Sequence, residues 1–267
     1  TCSQYAVYVS NGTLTASGVT LRNDTGQRAL SISGGADGVT VNGNSLLEVT
    51  RAGGYYAVEL SGVNPALVAI TNSQLLATGT NSGAVYAYYG STTYSGQAAN
   101  FTNNWWGTAD PVAISARIYD YADTIYAPLI DFTPFLDGPN GAPVPGNFVW
   151  GPISANTTWT AANNPYVMVE DVTVQPGVTL TLEAGVRVEV KGDYTLQTQG
   201  TLQVNGTAAS PVQVLSGQAS PAAGNWTGLY FSGSGGGNLT QLQLHHAQYG
   251  LQLSGTGSVS LTNSLIE

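Results

Sequence analysis

Short runs in which apolar residues alternate with small or polar ones recur along the whole chain. In the first half they are Ala6-Val7-Tyr8-Val9, Val19-Thr20-Leu21, Ala29-Leu30-Ser31-Ile32, Val39-Thr40-Val41, Ala57-Val58-Glu59-Leu60, Val68-Ala69-Ile70 and Ala84-Val85-Tyr86-Ala87. Gly, Asn or Asp follows each of them closely. A period of two bounded by turn residues predicts half-buried β-strands. Helical periodicity is almost absent, so the predicted fold class is all-β.

The runs also recur at long range. Val7, Leu30, Val58 and Val85 open similar blocks at intervals of 23, 28 and 27 residues. Each block carries a second short run and then an Asn-bearing corner: Asn42-Gly43-Asn44-Ser45-Leu46, Thr71-Asn72-Ser73-Gln74-Leu75 and Thr102-Asn103-Asn104-Trp105-Trp106. A period in the twenties with several strands per period is what a β-solenoid requires, because one coil cannot bury its inward face alone. A β-sandwich is the rival, but its strands would not need blocks that resemble one another.

From Gly138 to Gly151 the composition shifts to Pro and Gly, which a ladder tolerates poorly. The expected organisation is therefore two solenoid segments, residues 1–137 and 164–267, joined by a Pro/Gly-rich linker over residues 138–163. The second segment has its own runs, among them Val178-Thr179-Leu180-Thr181-Leu182, Val186-Arg187-Val188-Glu189-Val190, Thr201-Leu202-Gln203-Val204 and Val212-Gln213-Val214-Leu215.

Composition narrows the function classes. Only 8% of the 267 residues are charged, with 15 acidic against 6 basic and a net charge of −9. Lys191 is the single lysine, which argues against nucleic acid as a partner. No apolar run approaches the length of a membrane span. The chain opens Thr-Cys with no basic or apolar leader, so a processed chain or a fragment is expected. Cys2, the one cysteine, has no partner within a copy; a buried or fraying thiol and a bond to another copy both stay open.

Several stretches carry a family resemblance. Asn104-Trp105-Trp106-Gly107-Thr108 with Asp110-Pro111, then Ile118-Tyr119-Asp120 and Asp131-Phe132-Thr133-Pro134-Phe135-Leu136, resembles the end of right-handed parallel β-helix repeat proteins. These are bacterial surface and secreted proteins with a pectate-lyase-like solenoid. Asn164-Pro165-Tyr166-Val167, the run Val172 to Leu180, Gly200-Thr201-Leu202, Ser210-Pro211-Val212 and Asn225-Trp226-Thr227-Gly228-Leu229 resemble the opening of such domains. The resemblance implies a right-handed parallel β-helix and says little about activity, since that fold carries many functions.

An ending thus precedes a beginning. Gly250-Leu251-Gln252-Leu253 followed by Thr262-Asn263-Ser264-Leu265-Ile266 repeats the layout of Ala57-Val58-Glu59-Leu60 followed by Thr71-Asn72-Ser73-Gln74-Leu75. The expectation is a circularly cut unit of an end-to-end solenoid. A whole domain would run from about Pro165 to Glu267, then through Thr1 to about Leu136 of the next copy; a truncated piece of a larger protein is the alternative. The residues expected at the joint are Cys2, Ala6, Val7, Tyr8 and Val9 on one side and Leu251, Leu253, Val259, Leu261, Leu265 and Ile266 on the other.

No catalytic constellation emerges. Lyases on this fold need carboxylates around Ca²⁺ and an Arg or Lys base; hydrolases need paired carboxylates. The basic residues Arg22, Arg28, Arg51, Arg117, Arg187 and Lys191 are scattered over different coils. Arg187, Glu189, Lys191 and Asp193 share a face and read as a solvated salt-bridge row. Asp120, Asp123 and Asp131 are candidate Ca²⁺ ligands, but their spacing matches no known loop and turn capping is the simpler role. His245 and His246, being adjacent, point to opposite faces of a strand and do not chelate one metal. Trp105, Trp106, Tyr55, Tyr56, Tyr86, Tyr88 and Tyr89 are expected to divide between core and an outward row suited to sugar stacking. Asn-X-Thr occurs at Asn11, Asn23, Asn100, Asn156, Asn205, Asn225 and Asn238, where chance placement gives about two, so these are candidate glycosylation sites. The reading is a non-enzymatic structural protein of the extracellular space or cell surface, polymerising head to tail, with no cofactor and itself as partner. A carbohydrate-binding or polysaccharide-degrading module is the alternative, and an ice-binding Thr row has only local support at Thr179, Thr181 and Thr195.

Overall fold

The computed structural model describes residues 2–267 and is all-β, built from stacked parallel strands. It divides into two compact units, one ending at Pro145 and the other spanning Gly146–Glu267.

The first unit has three sheets. Sheet A stacks Tyr5–Val9, Arg28–Ser33, Tyr56–Ser61, Gly83–Ala87 and Ile118–Tyr119 in that order. Sheet B stacks Gly12–Ser17, Ala36–Asn42, Val68–Ile70, Ala98–Asn100 and Leu129–Asp131. Sheet C stacks Thr20–Asn23, Leu46–Val49 and Gln74–Ala77, and Trp105 bridges Gln74 beyond them. Each coil therefore crosses A, B and C once before the next begins above it. The residues that opened the sequence blocks lie in one column, Val7 beside Leu30, Val58, Val85 and Ile118. Alternation explains the column, since every second residue of a strand turns inward and stacks on its equivalent one coil away.

The sharp corners between B and C need a left-handed backbone. Asn44, Asn72 and Asn103 supply it with φ of 59°, 49° and 56°, and Gly18 does so in the first coil at 64°. Asn is the side chain that tolerates this region best, which is why the blocks end on it.

The second unit has three faces. Face D stacks residues 147–149, 166–168, Arg187–Val190, Val212–Ser216, Leu242–Leu244 and Leu265–Ile266. Face E stacks residues 151–153, 172–174, Thr195–Thr198, Gly228–Phe231 and Leu251–Leu253. The strands Asn147–Ile153 and Tyr166–Val174 run through both faces. Face F stacks Thr157–Trp159, Thr179–Glu183, Thr201–Asn205, Gly236–Thr240 and Val259–Thr262. Inward Leu180, Leu182, Val188, Val190, Leu202, Val204 and Val214 are all at most 1% exposed and form one core with Trp226 and Phe231.

The linker expected over residues 138–163 is largely folded. Residues 136–144 close as a small antiparallel turn: Leu136 bridges Pro143, Asp137 N–H donates to Ala142 O at 3.0 Å and Val144 N–H donates to Phe135 O at 2.8 Å. Asn147–Ile153 and Thr157–Trp159 then join the ladders of the second unit. Pro152 is compatible with a strand there because the strand lies at the edge of its sheet, where a missing N–H costs no ladder bond on the outer side.

Candidate functional site

Both units have outermost strands with no further strand beside them among the described residues; in the second unit Asn147–Ile153 and Thr157–Trp159 are such strands too, at the opposite end of the stack from Leu265–Ile266. In the first unit such strands include Tyr5–Val9, Gly12–Ser17 and Thr20–Asn23, at one end of sheets A, B and C. Val7, Leu14 and Leu21 point inward but stay half-exposed, whereas Leu30, Val39 and Leu47, one coil further on, are buried. Stacking on one side only accounts for the difference. Of the residues expected at this joint, Val7 and Val9 face the core and Ala6 is half-buried beside them. Tyr8 does not face it: the ring is outward, 55% exposed, and stacks on Tyr5 at 5.3 Å. Cys2 is an exposed free thiol whose carbonyl accepts from Thr25 Oγ1 at 3.3 Å.

At the last coil of the second unit the uncovered edges belong to Leu251–Leu253, Val259–Thr262 and Leu265–Ile266. Leu251 and Val259 pack partly against the core, while Leu253, Leu261, Leu265 and Ile266 are 56%, 47%, 45% and 37% exposed. Of the residues expected at the joint, Leu265 is opposite Gln243 and faces outward, whereas Ile266 is opposite Leu244 and faces inward. Each of these edges also presents backbone N–H and C=O groups without a strand beyond them, which is a template for strand addition.

The corner that leads into the last strand is held tightly. Asn263 is left-handed with φ 50°, and Ser264 Oγ accepts from Leu242 N–H of the preceding coil at 3.0 Å while donating to Thr262 O at 3.0 Å.

The remaining candidate chemistry is committed elsewhere. All six basic side chains are engaged. Arg22 pairs with Glu48 at 2.7 Å and Arg28 with Glu59 at 3.3 Å; Arg187 and Lys191 reach Glu189 at 3.0 and 3.2 Å. Arg51 donates to Thr25 O at 2.6 Å and Arg117 to Trp106 O at 2.9 Å. Burial pushes the Glu189 carboxyl up, but hydrogen bonds from Arg187 and Lys191 outweigh it and hold it below its ordinary value. Asp193 leaves the expected row and accepts instead from Thr227 Oγ1 at 2.9 Å.

Asp120 is a structural carboxylate. It is buried and accepts from Ile130 N–H at 2.6 Å and Ala122 N–H at 3.0 Å; burial nonetheless pushes it up to about 7. Asp123 accepts from Asp120 N–H and Asp131 from Thr133 N–H, and burial raises both. Among the described residues no three His, Cys, Asp or Glu side chains converge as metal ligands would. His245 Nδ1 lies 2.9 Å from Glu267 Oε1, and His246 turns the following corner with φ 66°.

The aromatic residues divide. Trp106 is buried, whereas Tyr86 stacks with Tyr119 and lies against Tyr56, at 5.0 and 5.1 Å, on the outer side of sheet A. The Arg28 guanidinium lies over both Tyr56 and Tyr86. One sequon is removed from consideration. Asn23 is 1% exposed, donates to Gln4 O and Arg28 O and accepts from Gly26 N–H, so its amide is closed to a glycan in the fold. Asn225 is also engaged, accepting from Ala222 N–H and Ser216 Oγ. Asn11, Asn100, Asn156 and Asn238 are exposed, and Asn205 is partly so.

Comparison with known proteins agrees with the architecture. A stretch of the chain is 32% identical over 124 residues to Protein bark beetle of Drosophila melanogaster, covering 41% of this chain and 4% of that protein. The chain thus spans about 4% of the length of this curated relative, which comes from an insect rather than a bacterium. No solved structure matches. The family model described as pectate-lyase like beta helix domain matches residues 151–260, which takes in Thr157–Trp159 and the end of Asn147–Ile153, both within the expected linker. Residues 151–260, which carry most of the ladders of faces D, E and F, match this family model and fold as a parallel β-helix.

Proposed function

We propose that this chain is a structural module of the extracellular space or cell surface, a β-solenoid that extends end to end by adding strands to its open coil. The observation that carries this reading is the stack of equivalent parallel coils in both units, in which each coil buries its inward apolar column only against the next. Apolar side chains on an open edge are an aggregation hazard unless a further coil covers them, and head-to-tail contacts that do not close by rotation give filaments. The engagement of every basic side chain supports a non-catalytic role, since no Arg or Lys is left as a base. The low charge supports stacking, because each outward residue lies directly above its neighbour and like charges there repel.

Electron microscopy of the native material tests the reading. Parallel coils stacked along a filament predict an axial repeat of roughly 4.8 Å. Discrete particles without that repeat, at concentrations well above those in the tissue or culture of origin, overturn it. In that case the outward Tyr56, Tyr86 and Tyr119 row favours the second reading, a carbohydrate-binding module, and glycan-induced change in tyrosine fluorescence supports it.

A further inference from the structure

The fold sorts the seven Asn-X-Thr sequences by face. Asn100 and Asn238 are exposed, and each lies in a strand with a coil on both sides, so their exposure does not depend on where the chain begins or ends. In sheet B, Asn100 stands outward between Ala69 and Asp131, because Ala99 is the buried member of the alternation. In face F, Asn238 stands outward between Gln203 and Ser260, because Leu239 is buried. Asn11 and Asn156, both exposed, are the residues just before Gly12–Ser17 of sheet B and Thr157–Trp159 of face F. Asn205 is outward on face F too but half-buried, donating to Glu183 Oε1 at 3.3 Å and accepting from Gln203 Nε2 at 2.8 Å. Asn23 and Asn225 fall elsewhere, at the end of a sheet C strand and in the turn before a face E strand.

Two further observations follow the same division. Asn100 spends its carbonyl oxygen on Thr102, accepting from the N–H at 3.1 Å and from Oγ1 at 2.9 Å, and Asn156 Oδ1 accepts from Thr179 N–H at 2.9 Å. Asn238 gives one amide hydrogen to Gln203 Oε1 at 3.3 Å and keeps the other. Asn23 spends both, on Gln4 O and Arg28 O at 2.9 Å each. The ion pairs, for their part, avoid sheet B and face F. Among the described residues Arg28–Glu59 belongs to sheet A, Arg22 with Glu48 and Asp24 to sheet C and its end, and Arg187, Lys191 and Glu189 to face D and its end, as does His245–Glu267. Soluble surfaces ordinarily carry about 25–35% charged side chains, whereas this chain has 8% and keeps its pairs off these two faces. An attached glycan is bulky and solubilising and would hydrate the faces that charge leaves bare.

We propose that each unit has one glycosylated face, sheet B in the first and face F in the second, carrying N-linked oligosaccharide at Asn100 and Asn238 and, where the chain enters these faces, at Asn11 and Asn156. This rests on the extracellular part of the reading above and is independent of filament formation. The reaction is group transfer from an oligosaccharide carried on a lipid pyrophosphate in a secretory pathway. The asparagine Nδ2 attacks C1 of the sugar, the C1–O bond to phosphate breaks, Nδ2 gives up one proton and the lipid pyrophosphate leaves. The modified amide keeps one hydrogen, so Asn238 retains its bond to Gln203. Asn23 would lose one of its two bonds and carry an oligosaccharide at a position 1% exposed, so a chain modified there does not reach this fold.

Site mapping of the native protein tests this. Peptide-N-glycosidase in heavy-oxygen water converts each glycosylated asparagine to labelled aspartate, which peptide mass spectrometry locates. The expected result is label at Asn11, Asn100, Asn156 and Asn238, less at Asn205 and none at Asn23. Unlabelled Asn100 and Asn238 overturn the proposal. Label at Asn225 equal to that at Asn100 and Asn238 overturns the restriction to one face, and label at Asn23 overturns the sorting of sequons by the fold. Electron microscopy of the same material keeps the two readings apart. Filaments of an unglycosylated chain leave the structural reading standing and sink this one, and glycosylated chains that form no filaments do the reverse.

Discussion

The last coils of the two units differ in how they are packed. In the first unit the section beyond the last full coil is closed: Phe101, Trp106, Phe132 and Phe135 are buried and lie in a chain of ring contacts at 6.3–6.4 Å. Asn104 is fully buried, donating to Ile70 O and Phe101 O and accepting from Ser73 N–H, so it binds the last corner to the coil below. Asp120 satisfies two backbone donors of the closing segment, and residues 136–144 follow it as an antiparallel turn. In the second unit the last coil ends in leucine and isoleucine facing water. That last coil carries no such aromatic cluster among the described residues and keeps the cross-section of an ordinary coil.

The largest test of this contrast is truncation of the closed end. Trp106→Ala removes a fully buried ring and is expected to destabilise the first unit by about 3–5 kcal/mol, read as a lower denaturant midpoint for its transition. A change below about 1 kcal/mol would mean that the aromatic closure is dispensable.

Next in size is a pH effect at Asp120, on the order of a few kcal/mol at most. Its folded value is raised above the unfolded one, so the folded state binds a proton more readily. The stabilisation is complete below the unfolded value and is lost as pH rises through about 7. The first unit should therefore unfold at higher temperature at pH 5 than at pH 8. Asp123 and Asp131 are raised as well and act in the same direction, so the specific readout is the difference between wild type and Asp120→Asn, whose pH dependence should be flatter. Parallel pH profiles for the two proteins would remove Asp120 from the explanation.

The smallest expected effect lies at the open end. Leu261→Ala should change the stability of the isolated chain by no more than about 0.5 kcal/mol, because the side chain is half in water, yet it should raise the concentration at which chains associate. If it unfolds the second unit as Trp106→Ala unfolds the first, the two ends are not different in kind.

The outward faces were harder to read in the sequence than the inward ones. Seven sequons look alike as letters, but Asn23 is closed because its amide is spent on Gln4, Arg28 and Gly26, contacts between chain segments that no local pattern announces. Asp193 looks like the fourth member of a charge row, and the corner after Lys191 carries it to Thr227 instead. Pro and Gly over residues 138–163 read as a linker because composition cannot tell a free segment from a folded turn followed by an edge strand.

The sequence by itself determined the all-β class, the solenoid, the column of Val7, Leu30, Val58 and Val85 and the Asn-bearing corners, which the structure shows left-handed at Asn44, Asn72 and Asn103. These depend on alternation and on turn stereochemistry, which are local and repeat with every coil. Only the tertiary structure decided that an aromatic cluster packs beyond the last full coil of the first unit, that Tyr8 and Leu265 face away from the core, and that Ser45 and Ser264 each tie a corner to the coil before it. Those properties depend on what stands one coil away, and one coil here is more than twenty residues of intervening chain.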